Sequence, residues 1–127
     1  MRLRLPYDRR VEGLRFHGLR AAVSTAGRAR MPKLAILGTF EAAPGRRDQL
    51  VPLLMAHRAR VLKDEPGTLQ FEILTPHDDA AKVLVCEIYR DDAAFDAHRA
   101  SPSIARFRAE SAGMVAKLLV TRCALVE

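Results

Sequence analysis

The sequence contains no tryptophan, no asparagine and only two cysteines, Cys86 and Cys123. Two cysteines are too few for a disulfide framework, so reduced thiols and a cytoplasmic setting are expected. Long apolar runs are missing as well. The longest uncharged apolar stretches, such as residues 34–40, fall far short of the roughly 18 residues a spanning helix needs, and no membrane partner is expected. The chain has no apolar segment of the kind a secretory signal requires. It has no glycine-rich phosphate loop or dinucleotide fingerprint, and no Cys/His spacing suited to zinc. No cofactor and no metal are expected. Glycine and proline, at seven each, are too ordinary for a collagenous or low-complexity chain.

Charge is present but uneven. The 127 residues carry a formal charge of +6. Residues 1–30 hold eight arginines against Asp8 and Glu12, which accounts for all of it; residues 31–127 hold 13 basic and 13 acidic groups. An electrically balanced body lacks the basic stripe of a nucleic-acid module. Residues 1–30 are interrupted by Gly13, Gly18 and Gly27 and show no sustained period. They are expected to form a disordered basic extension, an upstream segment before a start at Met31, with a tail for an acidic partner or a targeting segment as the other readings. Residues 31–127 are expected to form one domain, within the usual range of roughly 100–200 residues.

From Met31 the pattern sharpens. Residues 33–41 read as a strand with Leu34, Ile36 and Phe40 on one face. After the turn at Ala43-Pro44-Gly45, Leu50, Leu54, His57 and Val61 form one helical stripe. Glu65-Pro66-Gly67 stops that helix. Residues 68–74 alternate as an edge or half-buried strand, and residues 82–90 form a third strand. Asp91 or Asp92 caps a short helix with Phe95 and His98 on one side. Pro102 restarts a helix with Ile104, Phe107, Ser111 and Met114 at helical spacing, and residues 118–126 form a last strand. This β-α-β-β-α-β order is the ferredoxin-like split βαβ arrangement, an α+β fold with an antiparallel sheet of order 4-1-3-2. It places strand one between Cys86 and Cys123, too far apart for a bridge. Strands one, three and four are apolar on both faces, which is the mark of two-sided burial. Helices cover only one face, so a second copy stacked sheet to sheet is expected, giving a homodimer.

Four segments carry a resemblance: Ala43-Pro44-Gly45-Arg46, Glu65-Pro66-Gly67-Thr68, Glu87-Ile88-Tyr89-Arg90-Asp91, and Ala94-Phe95-Asp96-Ala97-His98-Arg99-Ala100-Ser101-Pro102 followed by Phe107. In this order and spacing the body, over about residues 33–126, resembles the antibiotic biosynthesis monooxygenase domain, a dimeric ferredoxin-like α/β barrel. That family includes cofactor-free oxygenases of quinols and polyketide phenols, haem-degrading enzymes, an isomerase of a phosphorylated signalling sugar, and members without assigned activity. The resemblance implies a histidine at position 98 facing the space between helices and sheet. The haem-degrading branch and the polyketide-phenol oxygenases use Asn and Trp in their sites, and this chain has neither.

The candidate catalytic residues are His98, Glu87 and Tyr89. His98 is the natural acid–base group near neutral pH; the alternative is a core histidine bonded to a carbonyl or carboxylate. Glu87, inside an apolar strand, either orients His98 or acts as a base, or is an ion-pair partner for an arginine. Tyr89 shares its face and either bonds a substrate oxygen or packs at the rim. Strand parity puts Glu87 and Tyr89 together without choosing the face. His57, Phe95 and Phe107 are expected to line a pocket, His57 being alternatively a satisfied core histidine. His77 reads as a solvated loop residue, and both cysteines as small core residues. The leading expectation is a cofactor-independent monooxygenase acting on a small aromatic substrate, a quinol or phenol. The alternatives are a dimeric ligand-binding module without catalysis and a proton-transfer isomerase using the same residues.

Overall fold

The computed structural model describes residues 32–127, and the basic extension expected over residues 1–30 lies outside them. In chain order the elements are β1 (Leu34–Ala42), α1 (Arg47–Asp64), β2 (Thr68–Leu74), β3 (Lys82–Tyr89), α2 (Asp92–Arg99), α3 (Pro102–Glu110) and β4 (Val115–Ala124). The four strands form one antiparallel sheet of order β2-β3-β1-β4. This is the expected ferredoxin-like order, with the second helical segment broken in two.

The break has a local cause. Asp91 caps α2, its side chain accepting from Ala94 N at 2.8 Å. Three residues after α2's last turn, Pro102 stands at the start of α3, where its missing N–H costs nothing. The Ser101 side chain caps that helix by accepting from Ile104 N. Helix α3 ends at Glu110, earlier than the Ser111 and Met114 spacing predicts. Gly113 takes a positive φ of 81°, a backbone state that L residues rarely adopt. The turn closes with Met114 N donating to Ser111 O at 2.9 Å. Strand β4 therefore starts at Val115, three residues before the expected position, where Val115 pairs with Ala42.

Helix α1 buries the predicted stripe, Leu50, Leu54, His57 and Val61. They meet Phe40, Phe71, Val83, Val85 and Phe107 in the main core. A smaller cluster of Leu34, Ile36, Tyr89 and Phe95 lies under α2. The helix-covered face of the sheet carries Ile36, Gly38 and Phe40 of β1 beside Val85, Glu87 and Tyr89 of β3. The structure thus chooses the face that strand parity left open: Glu87 and Tyr89 point to the helices. Leu37, Cys86, Leu119 and Cys123 belong to the opposite face, and both cysteines are free.

Candidate active site

A cavity of about 150 Å³ lies between the sheet and the helices, at the seam between the two clusters. Its floor is β1 and β3, its walls come from α1, α2 and α3, and Leu118 and Val120 of β4 flank its open side. The lining is mostly apolar, with Phe40, Leu54, Phe71 and Phe107 among it. Gly38 gives the floor its depth. A Cβ at this position would stand 2.7 Å from Val85 Cγ2, closer than real contacts allow. A glycine inside an apolar strand often marks such a close approach.

Three of the expected polar residues line this cavity: His98 from α2, His57 from α1 and Glu87 from β3. His98 is nearly enclosed, and its Nδ1 lies 2.7 Å from Glu65 Oε1. A carboxylate accepts only, so the imidazole donates from Nδ1 and turns Nε2 toward the cavity. Glu87 Oε1 stands 3.7 Å from that Nε2, too far for a hydrogen bond but close enough to share a proton through a bound hydroxyl. Burial pushes the Glu87 carboxyl above the usual carboxylate range, and the Tyr89 hydroxyl and the nearby His98 oppose this only in part. Glu87 is therefore a carboxyl that holds its proton to a higher pH than a solvated one.

Tyr89 is fully buried and is not part of the cavity wall; its hydroxyl donates to Glu87 Oε1 at 2.9 Å. Burial, then the charge of Glu87, drives its own ionisation far upward, so it stays a neutral donor. Its place is behind Glu87. Phe95 reaches the cavity and meets Tyr89 edge-on, at 5.1 Å between centroids, and Phe107 forms a wall with His57 stacked on it at 5.2 Å. His57 is held by Ser103 Oγ, 2.9 Å from Nδ1. Burial first, then the positive charges of His98 and Arg60, hold its pKa down to about 4, outweighing the opposing effect of the Ser103 backbone. It is a neutral imidazole at pH 7. His77 is exposed. Among the described residues no three His, Cys, Asp or Glu side chains come together in a way that would hold a metal ion.

Four residues of the site escape sequence reasoning: Glu65, Ser103, Arg60 and Gly38. Glu65 reads only as part of a helix stop, and nothing in spacing connects it with His98, 33 positions away. Arg60 follows His57 by three positions, so helical geometry already places the two on one side. Gly38 carries the glycine-in-strand signal. Ser103 carries none beyond its place in the first turn of α3.

The family profile described as antibiotic biosynthesis monooxygenase matches residues 34–110. None of the curated proteins matches the sequence. Among solved structures, PA3566 from Pseudomonas aeruginosa is 25% identical with a TM-score of 0.70, over 76% of this chain and 96% of that one. Rv0793 from Mycobacterium tuberculosis is 26% identical with a TM-score of 0.67, over 75% and 96%. A candidate antibiotic biosynthesis monooxygenase from Caulobacter crescentus superposes with a TM-score of 0.72 at 17% identity, over 76% and 92%. With the profile covering more than half of the residues, the chain belongs to the antibiotic biosynthesis monooxygenase family.

Proposed function

We propose that this protein is a monooxygenase that oxidises a small quinol or phenol with O2 and needs no bound cofactor. The observation that carries this reading is the Glu65–His98 pair at the wall of an apolar cavity, with Nδ1 tied at 2.7 Å and Nε2 turned inward. A carboxylate behind an imidazole fixes its tautomer and stabilises the cation it becomes on taking a proton. A cavity of roughly 150 Å³ in an apolar core is of a size that admits a benzene ring. O2, itself apolar, shares that environment.

Chemistry follows from the proton. His98 Nε2 removes the hydrogen of the substrate hydroxyl, and the resulting anion is electron-rich enough to reduce O2 directly. For a phenol, one oxygen atom enters the ring to give a quinone and the other leaves as water, so the substrate supplies all of the electrons. Loss of water from the oxygenated ring needs an acid, and the Glu87 carboxyl beside His98 Nε2 fills that part. Because Glu87 and His98 handle protons within 3.7 Å of each other, a proton-shuttling isomerase is the second reading. A ligand-binding dimer without turnover is the third.

Oxygen uptake by metal-free protein against a panel of quinols and phenols tests the proposal. We expect His98→Ala to lower turnover by about 10²-fold or more, as loss of a general base does. Glu65→Gln keeps the shape and removes the charge, and its loss should fall on kcat rather than KM. Unchanged turnover in His98→Ala, or activity that returns only with added haem, flavin or metal, refutes the mechanism. Turnover without O2 consumption would favour the isomerase.

A further inference from the structure

The hydrogen bonds around His57 decide which of its nitrogens carries the proton. Arg60 Nε, a donor only, lies 2.9 Å from Ser103 Oγ, and Arg60 Nη2 donates to the Ser103 carbonyl at 3.4 Å. Ser103 Oγ therefore accepts from Arg60, and it sits 2.9 Å from His57 Nδ1. A serine hydroxyl has one hydrogen. Among the described residues the acceptor within its reach is His57 Nδ1. The reverse assignment, with Nδ1–H donating to Oγ, would leave a buried hydroxyl hydrogen without an acceptor, which folded proteins avoid. His57 thus carries its proton on Nε2, and among the described residues the side-chain hydrogen bond of this ring is the one at Nδ1. The ring belongs to the cavity wall.

His98 is arranged the other way. Glu65 fixes its proton on Nδ1, so Nε2 presents a lone pair. The two rings lie 5.3 Å apart between centroids, tilted by 47°, and both line the cavity. One imidazole offers a donor and its neighbour an acceptor to the same small space. Other charges facing that space come from Glu87 on β3, Arg99 on α2 and Arg108 on α3.

We propose that His57 Nε2–H and His98 Nε2 grip one phenolic oxygen together, so that His57 is the donor that stabilises the phenolate and Arg60 with Ser103 positions it. The inference rests on the phenol or quinol reading and narrows it. The hydroxyl hydrogen passes to His98 Nε2 as the O–H bond breaks and the N–H bond forms. The oxygen keeps the electron pair and then accepts from both imidazoles, while Glu65 faces the new imidazolium. An aryl ether or an isolated ketone satisfies only half of this arrangement and binds poorly.

A para-nitrophenol probe reads this directly, since its anion is coloured and absorbance gives the pKa of the bound molecule. An apolar cavity alone would raise that pKa. We expect the full-length protein to hold it below the value in free solution. In His57→Phe, which keeps an aromatic ring between Phe71 and Phe107, it should rise by about one unit or more, with turnover down about 10²-fold, as on loss of an oxyanion donor. Ser103→Ala should raise it too, and Ser103→Thr, which keeps the hydroxyl, should restore it. A wild-type protein that binds neutral nitrophenol as well as the anion overturns the inference, as does an unchanged pKa in folded His57→Phe. Should that variant not fold, an unchanged pKa in Ser103→Ala overturns it equally. These results leave the functional reading standing; undiminished quinol oxidation by His98→Ala, or activity that returns only with added haem, flavin or metal, removes that.

Discussion

At the scale of single residues, the site consists of ordinary side chains whose protonation is set by what lies behind them. His57 is the clearest case. Its folded pKa is depressed to about 4 from 6.5, so the unfolded chain binds more protons than the folded one between these values. Stability contributed by the neutral ring is complete above pH 6.5 and is lost as pH falls toward 4. At pH 5 the loss amounts to about 2 kcal/mol. Urea unfolding at pH 7 and pH 5 should show it in the wild type and show it much reduced in His57→Phe; equal losses in both would place the acid sensitivity elsewhere. The sequence shows His57 on an apolar stripe and Glu87 in an apolar strand, which is enough to suspect both. It does not show the partners. Ser103 is 46 positions from His57 and Glu65 is 33 from His98, and such pairs become neighbours only through the packing of α1 against α2 and α3.

At the scale of elements, period and punctuation carry most of the information. The stripe of α1 and the caps of α2 and α3 are local features, and the structure keeps them. The alternation of β2 is kept only in part, because the register shifts between Thr68 and Gln70 and leaves Leu69 exposed and Thr68 buried while Phe71 stays buried. The junction of α3 and β4 is misjudged because Ser111 and Met114 continue a helical spacing, while the backbone obeys Gly113. Gly38 shows how an element can shape the site. Its helix-side neighbours on β1, Ile36 and Phe40, are buried, and only the lack of a side chain between them keeps the cavity floor open. Gly38→Ala should push Val85 and fill part of the cavity. We expect a stability loss of about 1–3 kcal/mol, as overpacking usually gives, and a KM for the quinol raised more than kcat is lowered. Wild-type kinetics in a folded Gly38→Ala protein would mean that substrate does not reach the β1 floor.

At the scale of the whole molecule, one face of the sheet carries no helix among the described residues. Leu37 is 47% and Leu119 59% exposed there, beside the half-buried Leu84, Cys86 and Ile88 of β3. Such a contiguous apolar surface is uncommon on a protein that works alone. On the helix-covered side, β4 also leaves Leu118 and Val120 half-exposed at the mouth of the cavity. Each half-exposed leucine of the open face gains about 1 kcal/mol on being covered, and a two-fold pairing of that face covers it in both copies. We therefore expect a homodimer through the open sheet face, seen by light scattering at micromolar concentration as twice the chain mass. Leu37→Lys with Leu119→Lys would set like charges into that contact and should yield a monomer whose cavity residues remain in place. If dimerisation also closes the β4 side of the cavity, the monomeric variant should keep its fold yet lose turnover, because water then enters beside His98. A wild-type protein that stays monomeric and soluble would refute the pairing, and full activity in the monomeric variant would show that each chain completes its own site.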